Sequence, residues 1–222
     1  MIHRQAVCDY RYLLNRGYSR SSALRVVTER YRLGEAQRNL LLRSVFSLAE
    51  CRRRWQVRVE PASAAGGELA VDGYNVLITV ESWKLGMPVL RCDDGFVRDF
   101  RGVYGKHRFR RWITGSALVS ILEVLERIEP RRVRMVFDAM VSRSGELCAY
   151  IKRRFGRIPW LEAETARSPD RELRRWEGVV CTGDTAVVDA HRAVLDLAGA
   201  VIPEAYPLKL PACKDLYYPG SG

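Results

Sequence analysis

The 222-residue chain contains only three histidines, and its six cysteines are far apart, with no C-x-x-C pair. Zinc sites and disulfide frameworks usually show close cysteine pairs, so this spacing argues against both and predicts reduced cysteines, several of them in the core. No apolar run approaches the length that crosses a bilayer, and the first residues do not resemble a secretory signal. We therefore expect a cytoplasmic protein without a membrane partner.

Acidic residues are also scarce. Thirty-seven Lys and Arg stand against 26 Asp and Glu, which gives a formal net charge of +11 and a pI near 9.7. The excess is concentrated in residues 1–66, which contain thirteen Arg, no Lys and five acids. Arg pairs bidentately with phosphate oxygens, so this balance favours a polyanionic partner such as nucleic acid. A basic protein without such a partner has the same composition, and charge alone does not decide between the two.

Two units are predicted along the chain. Residues 1–60 form a small Arg-rich helical domain, and the small residues of 61–67 form a linker. From 68 to 222, short apolar strands alternate with helical patterns, which is typical of a mostly parallel sheet sandwiched by helices. The predicted fold class is therefore α/β, preceded by a small all-α domain. The helices predicted in the first domain are 5–17, 21–31 and 34–55.

Four local patterns refine this prediction. The stretch "PVLRCDDGFVRDF" (88–100) predicts a β-hairpin that turns at Asp94-Gly95. The stretch "TAVVDAHRAVLDLA" (185–198) predicts a helix, and "AVI" (200–202) a last strand. Residues 98–115, which begin at the end of the predicted hairpin, show no helical pattern.

Three predicted strands end in an aspartate: "ELAVD" at Asp72, "RVRMVFD" at Asp138 and "GVVCTGD" at Asp184. In a parallel sheet the carboxyl ends of the strands share one edge, where ligands bind. A fourth acid, Asp170, opens the short helix predicted at "SPDREL". These four carboxylates are therefore expected to converge.

Converging carboxylates repel each other unless a cation neutralises them. Oxygen ligands with few histidines favour Mg²⁺ or Mn²⁺ over zinc, and such an ion activates water for the hydrolysis of a phosphodiester. Gly73 is expected to permit a sharp backbone turn after the first strand, and Asn75 to orient a ligand or the attacking water. The predicted metal ligands, which are also the predicted catalytic residues together with Asn75, are Asp72, Asp138, Asp170 and Asp184.

Each acid also has a structural alternative. Asp184 is a suitable cap for a helix that begins at Thr185, and Asp170 suits the dipole at the start of its helix. Asp138 is a suitable turn residue. The sequence supports the metal site mainly because three strands end in the same residue type.

The motifs that carry these acids resemble those of the PIN-like nucleases, particularly the NYN branch. The similarity covers roughly residues 68–203, and Gly183 stands where that branch usually has Ser. The whole chain also resembles archaeal proteins of unknown function that join a small helical domain to such a fold. The matching motifs are "VDGYN" (71–75), "VFDA" (136–139), "SPDREL" (168–173) and "CTGD" (181–184).

The resemblance implies an RNA-cutting enzyme that depends on Mg²⁺ or Mn²⁺, with metal-site roles for the four aspartates and Asn75 nearby. Some proteins of this fold bind RNA without cutting it, so a non-catalytic RNA-binding protein is the alternative. A haloacid-dehalogenase-like phosphatase is a third hypothesis, suggested by "GDTAVVD" (183–189). That chemistry needs an acid two residues after the nucleophile, where this chain has Tyr74.

Two basic segments are predicted to hold the RNA strand. In 98–115, cations alternate with the rings of Tyr104, Phe109 and Trp112, a combination that suits phosphates and stacked bases. The alternatives are a surface loop with its rings in the core, and a solvated helix face for the second segment, 151–157. A homodimer is left open. The predicted RNA-binding residues are Arg101, Lys106, Arg108, Arg110, Arg111, Lys152, Arg153 and Arg154.

Overall fold

The computed structural model describes residues 3–100, 110–204, 206–211 and 213. The N-terminal unit begins with three helices whose apolar side chains, among them Tyr10, Val27 and Leu41, enclose a core of their own. A fourth helix leads toward the second unit. The helices are α1 (Arg4–Asn15), α2 (Arg20–Tyr31), α3 (Glu35–Ser44) and α4 (Leu48–Val57).

The single long helix predicted at 34–55 is wrong, because α3 ends at Ser44 and α4 begins afresh at Leu48. The Ser47 hydroxyl accepts a hydrogen bond from the Glu50 amide at 3.3 Å, and the Glu50 carboxylate accepts one from the Ser47 amide at 2.8 Å. This reciprocal pair is a capping box, which satisfies amide groups that a new helix would otherwise leave without partners.

The remainder of the chain alternates strands and helices, after a short 3₁₀ turn at Pro61–Ala64. No helix among the described residues is long and apolar enough to cross a membrane. In chain order the elements are β1 (Glu68–Asp72), α5 (Gly73–Lys84), β2 (Val89–Arg91), β3 (Val97–Asp99), α6 (Arg111–Ile128), β4 (Arg132–Asp138), α7 (Ser144–Phe155), β5 (Leu161–Ala166), α8 (Pro169–Arg174), β6 (Val179–Cys181), α9 (Thr185–Val188), β7 (Val194–Leu195), α10 (Leu197–Val201) and β8 (Leu208–Lys209).

Five strands form a parallel sheet in the order β5-β4-β1-β6-β7, which confirms the predicted fold class. The chain proceeds outward from β1 to β4 and β5, then returns to the other side of β1 for β6 and β7. In open α/β sheets such a reversal leaves a crevice at the carboxyl ends of the two central strands, where ligands bind. Here those strands are β1 and β6.

Helices cover both faces of the sheet. On one face, α5, α6, α7 and α10 pack against inward-pointing side chains such as Leu69, Val71 and Met135. On the other face, α8 and α9 contribute Leu173 and Val187 to a smaller cluster with the sheet residues Ala70 and Val180. The side chains of β1 thus alternate between the two faces, as the strand period requires.

The hairpin predicted at 88–100 is confirmed. Strands β2 and β3 pair antiparallel, with Arg91 opposite Val97. Gly95 occupies the turn with φ = +83°, in the left-handed region that glycine adopts without a steric penalty. On its other side, β2 pairs in parallel with β8.

The prediction for 185–202 is wrong. The helix beginning at Thr185 stops after one turn at Val188, the strand is β7 (Val194–Leu195), and 200–202 follow within or just after α10. Asp196 causes part of this difference, because its buried carboxylate caps α10 by accepting the Gly199 amide at 2.9 Å. The same carboxylate accepts the Val97 amide of the hairpin at 2.9 Å, which is a long-range contact.

Four cysteines are buried and reduced, as predicted: Cys51, Cys92, Cys148 and Cys181. The prediction against disulfides is wrong for the remaining pair. Cys8 and Cys213 form a disulfide with a sequence separation of 205 residues, which connects the C-terminal segment to α1.

The N-terminal unit is attached to the second unit through buried charges. Arg54 of α4 donates to the fully buried Asp94 of the hairpin turn at 2.9 Å and to Asp189, just after α9, at 2.8 Å. Arg98 of β3 donates to both oxygens of Asp94, at 2.7 and 2.8 Å. Beyond α4, the Val59 amide donates to the Val194 carbonyl of β7 at 2.9 Å.

Replacing Arg54 with Met is expected to lower the free energy of unfolding by about 3 kcal/mol, because the substitution removes one of the two cations that neutralise a buried carboxylate. Urea denaturation followed by circular dichroism measures this loss. Arg52→Met on the same helix is the matched control, since Arg52 is exposed and should change stability by less than about 0.5 kcal/mol. Equal effects of the two substitutions would contradict a structural role for the Arg54–Asp94 pair.

Candidate functional site

Asp72 is both the last residue of β1 and the N-cap of α5, so the strand passes into the helix without a loop. Its Oδ1 accepts the backbone amide of Asn75 at 3.3 Å, which is a capping bond. Its Oδ2 accepts the hydroxyl of Thr182 at 2.9 Å, from the segment after β6. The carboxylate is therefore held by one contact from its own helix and one from the neighbouring strand.

Gly73 serves close packing instead of the sharp turn predicted for it. Its φ is not positive, since Gly73 lies in the first turn of α5. A Cβ at this position would lie 2.5 Å from the ring of Phe137 and 2.8 Å from the carbonyl oxygen of Val136. Only glycine therefore lets the start of α5 approach the end of β4 this closely.

The segment after β6 is linked to the start of α5 by two side chains. The Thr182 hydroxyl donates to Asp72 and accepts the Asp184 amide at 3.0 Å. The Asn75 Oδ1 accepts the Gly183 amide at 2.7 Å. Because its carbonyl oxygen is engaged in this way, the amide NH₂ group of Asn75 is oriented away from Gly183 and is available as a donor.

Thr182 was not identified as a site residue from the sequence. The signal was present in "CTGD", where a hydroxyl stands two residues before the acid, but a threonine at that position is also an ordinary strand residue. The prediction that this strand ends at Asp184 is wrong, because β6 ends at Cys181 and Asp184 is the N-cap of α9. The contact of Thr182 with Asp72 spans 110 residues of sequence, so only the parallel pairing of β1 with β6 reveals it.

Asp72 lies in an electrostatic environment that disfavours its charge. Burial raises the pKa of Asp72 to about 7, against the lowering effect of the hydrogen bonds from Thr182 and the Asn75 amide. The neighbouring carboxylates of Asp184 and Asp170 raise the pKa further by repulsion. Three of the four predicted acids are therefore close enough to interact.

The acids differ in their local roles. Asp184 caps α9, with Oδ1 accepting the amides of Ala186 and Val187 at 2.9 and 3.1 Å, so the capping alternative is present in the structure. Asp170 lies exposed in the first turn of α8. Asp138 is a turn residue whose Oδ1 accepts the Met140 amide at 2.8 Å.

Tyr74, near the start of α5, is linked through Ser144 to the backbone of Asp138. The Tyr74 hydroxyl lies 2.9 Å from the Ser144 hydroxyl, and Ser144 donates to the Asp138 backbone carbonyl at 2.5 Å. Tyr74 also packs edge-on against Phe137, with ring centroids 5.2 Å apart. The structure thus brings Asp72, Asp170 and Asp184 into one electrostatic neighbourhood and places Asp138 at the same sheet edge, one strand away.

No group of three or more His, Cys, Asp or Glu among the described residues is arranged to hold a metal ion. Mg²⁺ nevertheless usually retains several waters and binds through only one or two carboxylates. Asp72 and Asp184 fit that requirement: their carboxylates interact electrostatically, and the described residues engage only the Oδ1 atom of Asp184. A cation between them would neutralise the repulsion that raises the pKa of Asp72.

A cavity of about 170 Å³ lies beside this pair. It is bounded by the start of α5, the end of β3 and the segment after β6, and also by the end of α3 from the N-terminal unit. Its lining residues are Leu42, Arg43, Asn75, Thr79, Arg98, Asp99, Gly183, Asp184 and Thr185.

The basic residues predicted to bind RNA fall in three places. Arg101, Lys106 and Arg108 lie outside the described residues. Arg110 and Arg111 are exposed where α6 begins, and α6 extends over 111–115, which was predicted to lack helix. Since α6 ends at Ile128 just before β4 starts, its first turn lies toward the edge that carries the acids.

Lys152, Arg153 and Arg154 are exposed in the last turn of α7. Helix α7 begins at the carboxyl end of β4, where Ser144 contacts Asp138, and ends near the start of β5, where Lys152 lines a cavity with Leu161. This basic patch therefore lies toward the edge of the sheet opposite the acids, and it does not border the candidate site.

The fold defines an α/β protein with acidic side chains near the reversal point of its parallel sheet. The profile of the family "Domain of unknown function (DUF5616)" matches residues 61–200, and the chain belongs to this family. The profile "Protein of unknown function (DUF434)" matches residues 4–56, which contain α1 to α3 and nearly all of α4.

The chain is 31% identical over 198 residues to "Uncharacterized protein MJ0935" of Methanocaldococcus jannaschii. The match covers 87% of this chain and 93% of that protein, so it includes both units. No solved structure matches the chain.

Asp72→Asn is expected to stabilise the metal-free protein at about pH 8 by about 2 kcal/mol. The folded state holds the Asp72 proton more tightly than the unfolded chain does, so the free energy of unfolding falls as the pH rises from about 4 to about 7. Asn removes this loss and remains a good N-cap. The expected gain in stability is smaller than the free energy that corresponds to the full pKa shift. The reason is that the Asp72 side chain is only half-buried, so solvent screens part of the effect.

Urea denaturation in EDTA at about pH 4 and about pH 8 measures this effect. The stability difference between the variant and the wild type should be large at the higher pH and small at the lower one. A variant that is less stable than the wild type at the higher pH would contradict the electrostatic account of Asp72.

Proposed function

We propose that the protein is a divalent-metal-dependent ribonuclease of the PIN-like type, with its site at the carboxyl ends of β1 and β6. The observation that carries the proposal is the link between the ends of β1 and β6: the Thr182 hydroxyl donates to the Asp72 carboxylate and accepts the Asp184 backbone amide, and the two carboxylates interact electrostatically. Carboxylates kept together against their repulsion favour a cation ligand as their counter-charge.

In this proposal Asp72 and Asp184 hold a Mg²⁺ or Mn²⁺ ion, with Asp170 and Asp138 adding negative charge at the same edge. The ion, when bound, supplies charge neutralisation for a phosphodiester and an activated water. Thr182 keeps the Asp72 carboxylate oriented, and the amide NH₂ group of Asn75 donates to a phosphate oxygen or to the attacking water. The motif resemblance to PIN-like nucleases supports the same roles.

The surface near the acids also suits a single strand of RNA. Arg110 and Arg111 are exposed at the start of α6, and the side chain of Trp112 beside them is 66% exposed. An exposed ring next to two cations is the combination that binds stacked bases and phosphates. Of the two interpretations of Trp112, stacking is favoured over burial in the core.

The second candidate function is an RNA-binding protein without catalytic turnover. The capping bond of Asp184 and the turn bond of Asp138 favour it, because each acid then has a structural reason to be present. In that case the same basic and aromatic surface binds RNA, and the carboxylates serve the fold.

The wild type is expected to cut labelled single-stranded RNA with Mn²⁺ or Mg²⁺ and to leave it intact in EDTA. Asp72→Asn and Asp184→Asn should each lower the rate by about a hundredfold or more, since each removes a ligand of the ion. Gel analysis of the cleaved RNA measures the rate. Asp9→Asn is the matched control, because Asp9 lies on α1 and accepts a hydrogen bond from Tyr31.

A thermal shift experiment tests the metal site independently of activity. Mn²⁺ should raise the melting temperature of the wild type and of Asp9→Asn, but not that of Asp72→Asn. RNA that binds tightly but stays intact with every metal, together with no thermal shift, would refute the nuclease and favour the binding protein.

A further inference from the structure

The cavity beside the acids is formed by both units of the chain. Asn75, Gly183 and Asp184 come from the second unit, whereas Leu42 and Arg43 come from the end of α3 in the N-terminal unit. Arg43 is half-buried and belongs to the lining of this cavity.

The two arginines of the cavity differ in their partners. Arg98 is paired with the buried Asp94. The Arg43 side chain forms no hydrogen bond or ion pair with any described residue, although Asp184 and Asp99 lie in the same lining. A half-buried guanidinium group without a carboxylate partner is suited to bind an anion from outside.

The backbone around Arg43 is held in position from the hairpin. The Arg43 carbonyl accepts a hydrogen bond from the Cys92 thiol at 3.7 Å, and the Ser44 carbonyl accepts the Asp93 amide at 2.9 Å. Asp93 is in turn paired with Arg11 of α1 at 2.6 Å. Arg43 is therefore presented to the cavity by a fixed backbone, which lowers the entropy lost on binding.

The cavity volume limits the size of the group that Arg43 can bind there. At about 30 Å³ for each water molecule, 170 Å³ holds about five or six waters. Sites for whole small-molecule ligands usually exceed about 300 Å³. The space therefore suits one phosphate group of a passing strand better than a complete free nucleotide.

We infer that Arg43 binds a backbone phosphate of the RNA strand next to the metal site proposed at Asp72 and Asp184, so that the N-terminal unit supplies part of the substrate site. The inference rests on the proposed function for the identity of the strand. It assigns Arg43 a binding role, with phosphate as the recognised group. It also gives the segment matched by the DUF434 profile a direct part in substrate recognition.

The test measures binding without cutting. Fluorescence anisotropy in EDTA gives the affinity of a short labelled single-stranded RNA over a series of salt concentrations. Arg43→Ala should weaken binding about threefold to tenfold and reduce the slope of log K against log salt concentration by about 0.7, which corresponds to one phosphate contact. Arg43→Lys should restore most of the slope, because the positive charge remains.

Arg38→Ala is the matched control, since Arg38 is exposed on the same helix and the change in net charge is identical. Melting temperatures of all variants, which should agree with that of the wild type, show that the fold is retained. Equal affinities and slopes for Arg43→Ala and Arg38→Ala would overturn the inference. A mononucleotide that competes with the RNA and loses affinity equally in Arg43→Ala would overturn the assignment to a strand.

The inference and the proposed function fail separately. Binding that depends on Arg43 without metal-dependent cutting refutes the nuclease and leaves the phosphate contact intact. Metal-dependent cutting with a KM that Arg43→Ala does not change refutes the contact and leaves the nuclease intact. Absence of RNA binding by the wild type overturns both.

Discussion

The buried carboxylate of Asp94 connects the N-terminal unit to the hairpin of the second unit. It receives Arg54 from α4 and Arg98 from β3, and it is completely inaccessible to solvent. Removing a carboxylate from water is costly, and the two guanidinium groups repay that cost only while both remain in place. The docking of the N-terminal unit and the shape of the hairpin are therefore consequences of the same charge cluster.

The influence of this cluster extends to the candidate site. The Nε of Arg98 donates to the Gly183 carbonyl at 2.6 Å, while the Gly183 amide donates to Asn75 at 2.7 Å. A Cβ at Gly183 would lie 3.3 Å from the Asn75 Oδ1, so a side chain there would crowd this arrangement. Through Asp94 and Arg98, the charge cluster therefore connects Arg54 of the N-terminal unit to Gly183, the residue that precedes Asp184. The match with the archaeal relative likewise extends over both units.

The features that could be predicted from the sequence are those with a local signal. The acids at the ends of β1 and β4 terminate apolar strands, and Asp94-Gly95 is a typical hairpin turn. The break between α3 and α4 had a signal in Ser47 and Glu50, but the helical periodicity around it was stronger. The strand β7, the contact of Thr182 with Asp72 and the pairing of Cys8 with Cys213 depend on residues distant in sequence, so no local pattern indicates them.

The count of 37 Lys and Arg overstates the number of cations that are available at the surface to a polyanion. In the N-terminal unit, Arg54 and Arg11 are paired with acids of the hairpin and are part of the connection between the units. Counting arginines from the sequence treats such internal cations and the unpartnered Arg43 alike. Attraction to a polyanion is set by the cations that remain without carboxylate partners at the surface, and these depend on the folded arrangement of acids. The same arginine-rich composition thus supplies both the attachment of the N-terminal unit and, at Arg43, a cation next to the strand-end carboxylates.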